Sequence, residues 1–146
     1  SLKNLLPLVE KGNFESILVD TAVMNLPATA FSLVANTLIK NEFGFPVGFA
    51  PSNGTYMWRK AASEQDKDKF PAIDAGVHAI SALASDFLFC GPLTGTSRVF
   101  PAVAAACSMM AALAFEESNL LPSGNHPLNL LFPDVVKQFE KEKGEK

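Results

Sequence analysis

Three short apolar runs, each followed by a segment of helical periodicity, constrain this chain more than anything else in it. The runs are Ile17-Leu18-Val19, Pro46 to Ala50 and Phe87-Leu88-Phe89-Cys90. Apolar residues at consecutive positions predict strands covered on both faces, as in parallel sheets. Between them, Phe31, Val34, Ala35, Leu38 and Ile39 recur at helical spacing, as do Ile73, Val77, Ile80, Leu83 and Ala84. Leu2, Leu5, Leu6 and Val9 form an opening helix. The order read from the sequence is α-β-α-β-α-β-α-α, which calls for parallel βαβ units with right-handed crossovers. Three parallel strands alone leave two open edges, which natural proteins rarely tolerate. Two α/β architectures satisfy the order, a small doubly wound sheet or the last third to half of a TIM (β/α)8 barrel.

Punctuation sets the expected boundaries. Gly12-Asn13 stops the first helix, Pro27 suits the first turn of the second, and Gly44 suits its C-cap. Residues 55–71 read as an aromatic turn or short helix followed by a long solvated loop, with Glu64 to Lys69 as wet surface. A third helix is expected over about Ala72 to Ala84. Pro101 is expected in the first turn of a fourth, ending near Glu117. Leu120 to Pro133 reads as loop, and 134–146 as a polar C-terminal helix or tail. The whole of 1–146 is a single domain or a partial barrel.

Composition removes several function classes. Of 146 residues, 48% are hydrophobic and 18% charged, the reverse of a disordered chain. Lys plus Arg number 12 against 15 acids, a net charge of −3, so no basic excess points to nucleic acid. A neutral or mixed-charge small molecule, or another protein, is the expected partner. Cys90 and Cys107 are the only cysteines and form no CxxC pair, which fits a reduced, cytoplasmic chain without disulfides or structural zinc. The longest apolar run, Phe100 to Phe115, is shorter than the ~20 residues of a membrane span, and reads as a buried helix. No leader pattern opens the sequence. It begins at Ser1 within a helical pattern, as expected of a piece of a longer protein.

In either architecture, functional groups gather at the C-terminal ends of strands. That rule selects Asp20-Thr21 with Asn25, Ser52-Asn53-Gly54 with Tyr56 and Trp58 behind, and Gly91 to Thr96 with Arg98. Asp20 directly follows three aliphatics and is expected to be partly buried. A buried carboxylate needs donors, supplied either by a flat heterocycle with adjacent N–H groups or by a local loop or helix cap. Asn53 can donate to or accept from a ring nitrogen. The spacing alone favours a tight turn at Asn53-Gly54. Gly91-Pro92 and Gly95 would line a backbone anion pocket, but no phosphate-loop pattern accompanies them. His78 reads as a satisfied interface histidine. His126 has no second ligand at metal spacing, and no GxSxG or reactive-cysteine setting supports a nucleophile.

The strings VDTAVMNLPATAFS (19–32), FGFPVGFAPSNGTYMW (43–58), SDFLFCGPLTGTSRVFPAVAAA (85–106) and NHPLNLLFPD (125–134) resemble the H subunit of tetrahydromethanopterin S-methyltransferase. They are also similar to the wider corrinoid-dependent methyltetrahydropterin methyltransferases. The resemblance runs from about Ile17 to Asp134 and matches only the C-terminal part of that family's chain. It implies a (β/α)8 barrel, usually dimeric or part of a multi-subunit complex, cytoplasmic or peripheral to a membrane. It implies methyl transfer between N5 of tetrahydromethanopterin or tetrahydrofolate and the cobalt of a cobamide carried by a corrinoid protein. Asp20 takes the place of the family's pterin-binding Asp, with Thr21 where Pro is usual. Asn53 is the nearest match to the Asn that reaches N5, at a spacing two residues longer. Thr21 and Gly91 are further candidate contacts, and Tyr56, Met57 and Trp58 would line the barrel mouth. The family's remaining pterin ligands come from earlier strands, which this chain lacks.

Overall fold

The computed structural model describes residues 2–144. Ser1 and the end of the expected tail, residues 145–146, lie outside the described residues. The elements are α1 (Leu2–Lys11), β1 (Val19–Asp20), α2 (Leu26–Phe43), β2 (Val47–Phe49), α3 (Pro51–Ala61), α4 (Phe70–Ala82), β3 (Phe87–Leu88), α5 (Thr96–Ser118), α6 (Pro127–Leu131) and α7 (Pro133–Gly144). The strands form one parallel sheet in the order β1-β2-β3.

Capping explains where α2 lies. The Asn25 side chain accepts from the Ala28 N–H at 2.9 Å, Pro27 occupies the first turn, and Gly44 closes the helix at φ +72°. Asn119 ends α5 in the same left-handed region, donating to the Phe115 carbonyl. α5 begins at Thr96, a turn earlier than expected, so Pro101 lies inside the helix and not in its first turn. With the preceding turn, Leu93–Ser118 is long and apolar enough to cross a membrane by length and composition, unlike the shorter run expected. It packs along α4 and α6.

The expected long loop is mostly helix. Residues 51–61 form α3, and one 3-10 turn (Lys67–Lys69) leads straight into α4. Asn53-Gly54 is therefore not a tight turn but the first turn of α3. Gly54 serves close approach: a Cβ there would lie 2.8 Å from Thr29 Oγ1 and 3.2 Å from the Asn25 carbonyl oxygen. Within the expected loop 120–133, the His126 ring Nδ1 accepts from the Leu128 N–H at 3.1 Å and caps α6. The expected polar tail carries one buried ring, Phe139, stacked on Phe115 with centroids 4.2 Å apart. Leu128 completes that cluster.

The first strand lies further along the chain than its apolar run. Val19 pairs with Val47 and Asp20 with Gly48, so Asp20 is the strand's last residue instead of following it. The strands are covered on one face only. Val47 and Phe49 point to the helices and are 1% and 0% exposed. On the other face Leu18 and Phe89 are exposed, as is Asp20, and the Phe87 ring lies over Gly48.

The helix faces also differ from expectation. α2 turns Thr29, Ser32 and Asn36 inward, and Phe31, Val34 and Leu38 outward, with Phe31 77% exposed. α4 buries Asp74, His78 and Ser81, while Ile80 and Leu83 are exposed. The inward polar groups are compensated: Asn36 accepts from Thr21 Oγ1 at 2.8 Å and donates to Ser85 Oγ at 2.9 Å. The accessible surface is 9463 Å². A self-contained monomer of this mass exposes about 7,200 Å². Exposed apolar side chains on α1, on the outer faces of α2 and α5 and on the uncovered side of the sheet contribute to that excess.

Candidate functional site

The C-terminal ends of the strands hold a buried polar network built from four segments. α3 contributes Ser52, Thr55 and Tyr56, α4 contributes Asp74 and His78, α5 contributes Arg98, and the loop after β3 contributes Gly91. Asp74 is the hub and is 1% exposed. Its Oδ1 accepts from Thr55 Oγ1 at 2.6 Å. Its Oδ2 accepts from Arg98 Nε at 2.7 Å and forms an ion pair with Nη2, also at 2.7 Å. Arg98 Nη2 also donates to Tyr56 Oη at 3.3 Å. The guanidinium lies 4.9 Å from the centroid of Phe70, whose ring meets Tyr56 edge-on at 5.0 Å. Burial pulls the Arg98 pKa down. The Asp74 and Tyr56 hydrogen bonds and charges more than reverse this and hold it above its ordinary value.

Ser52 and His78 extend the network. Ser52 Oγ accepts the Gly91 N–H at 2.7 Å and lies 3.1 Å from His78 Nε2. His78 Nδ1 lies 2.7 Å from the Asp74 carbonyl oxygen, which only accepts, so Nδ1 donates and Nε2 accepts the Ser52 proton. His78 is thus a satisfied interface histidine. Serine, histidine and aspartate meet here, but not as a nucleophilic triad. Ser52 is buried, its oxygen is taken by Gly91, and the imidazole is oriented by a backbone carbonyl with the carboxylate at 3.4 Å. Cys90 beside it is no better a nucleophile. Burial, and secondarily the Asp74 charge, push its thiol pKa up.

Asn53 follows Ser52 but faces the other way. It is exposed and lines an open groove of about 350 Å³ with Val23, Met24, Tyr56 and Met57. That volume lies within the usual range of small-molecule sites, and its walls are mostly apolar. Trp58 does not line it. Asp20 sits at the end of the neighbouring strand, exposed and not buried as expected, with Oδ1 accepting from the Ala22 N–H at 2.8 Å. That bond turns the chain beyond β1, and Asp20 is not among the groove's lining residues. Thr21 gives its hydroxyl to Asn36, and the N–H groups of Gly91 and Gly95 go to Ser52 and the Pro92 carbonyl. The structure therefore gathers Asn53 and Tyr56 at one groove. It places Asp20 at the adjacent strand end, and Thr21 and Gly91 in supporting bonds. Among the described residues no group of three His, Cys, Asp or Glu side chains is arranged to hold a metal.

A profile of the family described as the tetrahydromethanopterin S-methyltransferase MtrH subunit matches residues 1–119. The chain belongs to the MtrH-subunit family. It is 33% identical over 142 residues to the H subunit of tetrahydromethanopterin S-methyltransferase from Methanocaldococcus jannaschii, covering 88% of this chain and 44% of that protein. Against the H subunit from Methanosarcina acetivorans the identity is 32% over 137 residues, covering 88% and 43%. Against that from Methanococcus vannielii it is 31% over 140 residues, covering 87% and 44%. The chain thus spans less than half the length of these relatives. The matched region contains all three strands and the whole Asp74 network.

The sequence rules do not single out Asp74. Its signal is nonetheless present: an acid inside an otherwise apolar helical segment, four residues before His78 and so on the same helix face. Arg98 enters from sequence only as a neighbour of the Gly91 loop.

Proposed function

We propose that this chain works within a methyltransferase that moves a methyl group between N5 of a methyltetrahydropterin and the cobalt of a corrinoid protein. Membership of the MtrH-subunit family carries this reading. Tetrahydromethanopterin is the favoured pterin, because the relatives' names specify it. The architecture in which the chain would act is a (β/α)8 barrel, to which it contributes three βα units. The uncovered sheet face, both open sheet edges and the excess accessible surface support completion by further strands. A multi-subunit complex associated with a membrane, or a homodimer, is the corresponding assembly.

The residue chemistry suits the reaction. A pterin's pyrimidine presents adjacent N–H donors, and the Asp20 carboxylate can accept two of them in fork geometry. That contact would orient the ring and leave N5 toward the groove, a positioning effect. N5 takes up a proton from solvent before or as the methyl leaves for cobalt(I) as a cation equivalent, so that it carries positive charge during the transfer and departs as neutral N–H. Asn53 can hydrogen-bond N5 in either protonation state and so stabilise that charge without bearing one. The corrinoid supplies the cobalt that exchanges the methyl group. Tyr56 and Met57 form the apolar wall beside Asn53.

The test is methylation of cob(I)alamin by methyltetrahydromethanopterin and by methyltetrahydrofolate, using the assembled protein that contains this chain. Asp20→Ala is expected to weaken pterin binding about 10- to 100-fold, the worth of a charged hydrogen-bond pair. Asn53→Ala is expected to lower kcat about 100-fold with a smaller change in KM. Unchanged affinity in the first variant and unchanged turnover in the second would remove these residues from the site. A second reading has support of its own. The outward apolar residues of α2 suit an assembly module that docks on another chain without catalysis. Association without methyl transfer by the wild-type assembly would favour it.

A further inference from the structure

We propose that Ser52 and His78 are positioning residues for the Asn53 amide, fixing the tip of α3 so that the amide keeps one direction in its groove. The inference rests on the methyl-transfer reading above. Among the described residues the Asn53 side chain makes no hydrogen bond, so its direction depends on its backbone. That backbone is the first turn of α3, which begins without a side-chain cap. A first turn lacking a cap is the part of a helix most ready to fray.

The network supplies what the cap does not. Ser52 joins the turn to Gly91 in the loop after β3 and, through His78, to α4. One turn later Thr55 donates to Asp74 and lies within bonding distance of the Ser52 carbonyl. Residues 52 and 55 are three apart and share one helix face. Asn53, about 100° further round, is left facing the groove. The tie is directional at each link. Gly91 can only donate through its N–H and the Asp74 carbonyl can only accept, so one hydrogen-bond arrangement satisfies Ser52 and His78 together. Removing the Ser52 hydroxyl strands the buried His78 Nε2 and frees the Gly91 loop. The tip of α3 then keeps only the Thr55–Asp74 bond one turn on and loses its tie to the loop, and a small rotation of the first turn carries the amide away from N5.

The experiment compares wild type, Ser52→Ala, Ser52→Thr, Asn53→Ala and the Ser52→Ala/Asn53→Ala double variant in the assembled methyltransferase, with cob(I)alamin as acceptor. Ser52→Ala is expected to lower kcat about 10- to 100-fold, the range for groups that orient a reacting residue, with KM within about threefold. Ser52→Thr, which keeps the hydroxyl, restores most of the rate. In the Asn53→Ala background the Ser52→Ala change costs little more, because a positioning residue has nothing left to position. Amide exchange at Gly91 accelerates in Ser52→Ala. An equal loss in both backgrounds overturns the proposal, since it marks general destabilisation. Wild-type turnover in Ser52→Ala also overturns it, leaving the functional reading intact. Absence of transfer by the wild-type assembly overturns the functional reading itself. Should Ser52→Ala fail to fold, His78→Leu, which removes Nε2 and leaves the Ser52 hydroxyl without its α4 partner, takes its place in the same cycle with the same outcomes.

Discussion

Replacing Asp74 by alanine should be the most damaging single polar change in this chain. The carboxylate is 1% exposed, accepts hydrogen bonds from Thr55 and Arg98 Nε, and is ion-paired with the same guanidinium through Nη2. Hydrogen bonds to charged groups are each worth about 1.5–3 kcal/mol, and removing one partner of a buried ion pair costs about 3–5 kcal/mol. The lower end applies, because the Arg98 side chain retains 25% of its exposure and recovers some hydration. A loss of about 3 kcal/mol is a large part of the 5–15 kcal/mol that holds a typical domain together. At about 3 °C per kcal/mol for a chain of this size, the melting temperature should fall by roughly 10 °C. Asp74→Asn is the informative companion. Its carbonyl still faces Arg98, and its NH2 turns to Thr55, whose hydroxyl then donates to the Ser52 carbonyl oxygen 3.2 Å away. Urea unfolding followed by circular dichroism should rank the proteins as wild type, Asn, then Ala, at similar m-values. An Ala variant within about 1 kcal/mol of wild type would refute the assignment of Asp74 as the hub.

Two further outcomes follow from single contacts. Lys40 bonds Asp86 and the Val47 N–H donates to it at 3.0 Å; outweighing burial, they hold the carboxyl below its ordinary 3.8. A depressed folded pKa stabilises above the unfolded value, and the gain is lost as pH falls through the folded one. Wild type should therefore lose stability below about pH 4 faster than Asp86→Asn in acid titrations of the melting temperature, and parallel curves would count against the pair. Gly48→Ala should disrupt the sheet, because its Cβ would lie 2.0 Å from the Phe87 carbonyl oxygen, a backbone atom unable to yield. An unchanged thermal melt would show that β2 and β3 can separate without loss.

The order of elements is legible because strand runs and helical periods are local properties. Helix punctuation is legible for the same reason, as Pro27 and Gly44 act on their own neighbours, whereas Asn25, grouped from sequence with Asp20 and Thr21, proves to be the N-cap of α2. Facing is not. The period of α2 marks Phe31, Val34 and Leu38 as one apolar stripe, but which side meets the sheet is decided by tertiary partners. Here Asn36 meets Thr21 and Ser85 across distances no local pattern encodes. The start of α3 reads as a turn because Pro, Ser, Asn and Gly favour turns in isolation. At a strand's end those residues also suit a helix start, and Gly54 answers to a neighbouring helix. Of the site, Asn53 is found at a groove from its place after a strand. Asp20 is placed at a strand end, but its exposure escapes the sequence, because the covering expected over the sheet lies on one side only.

The Thr21–Asn36–Ser85 link has a mechanical consequence. Oily contacts are indifferent to direction, so helices packed by them glide over a sheet in fractions of a turn. An amide that both receives and gives cannot glide, because any translation severs two bonds in a dry layer at once. α2 is thereby riveted to the end of one strand and the approach to another. Sliding of α2 along the sheet would break both bonds together, whereas pivoting at its ends would break neither.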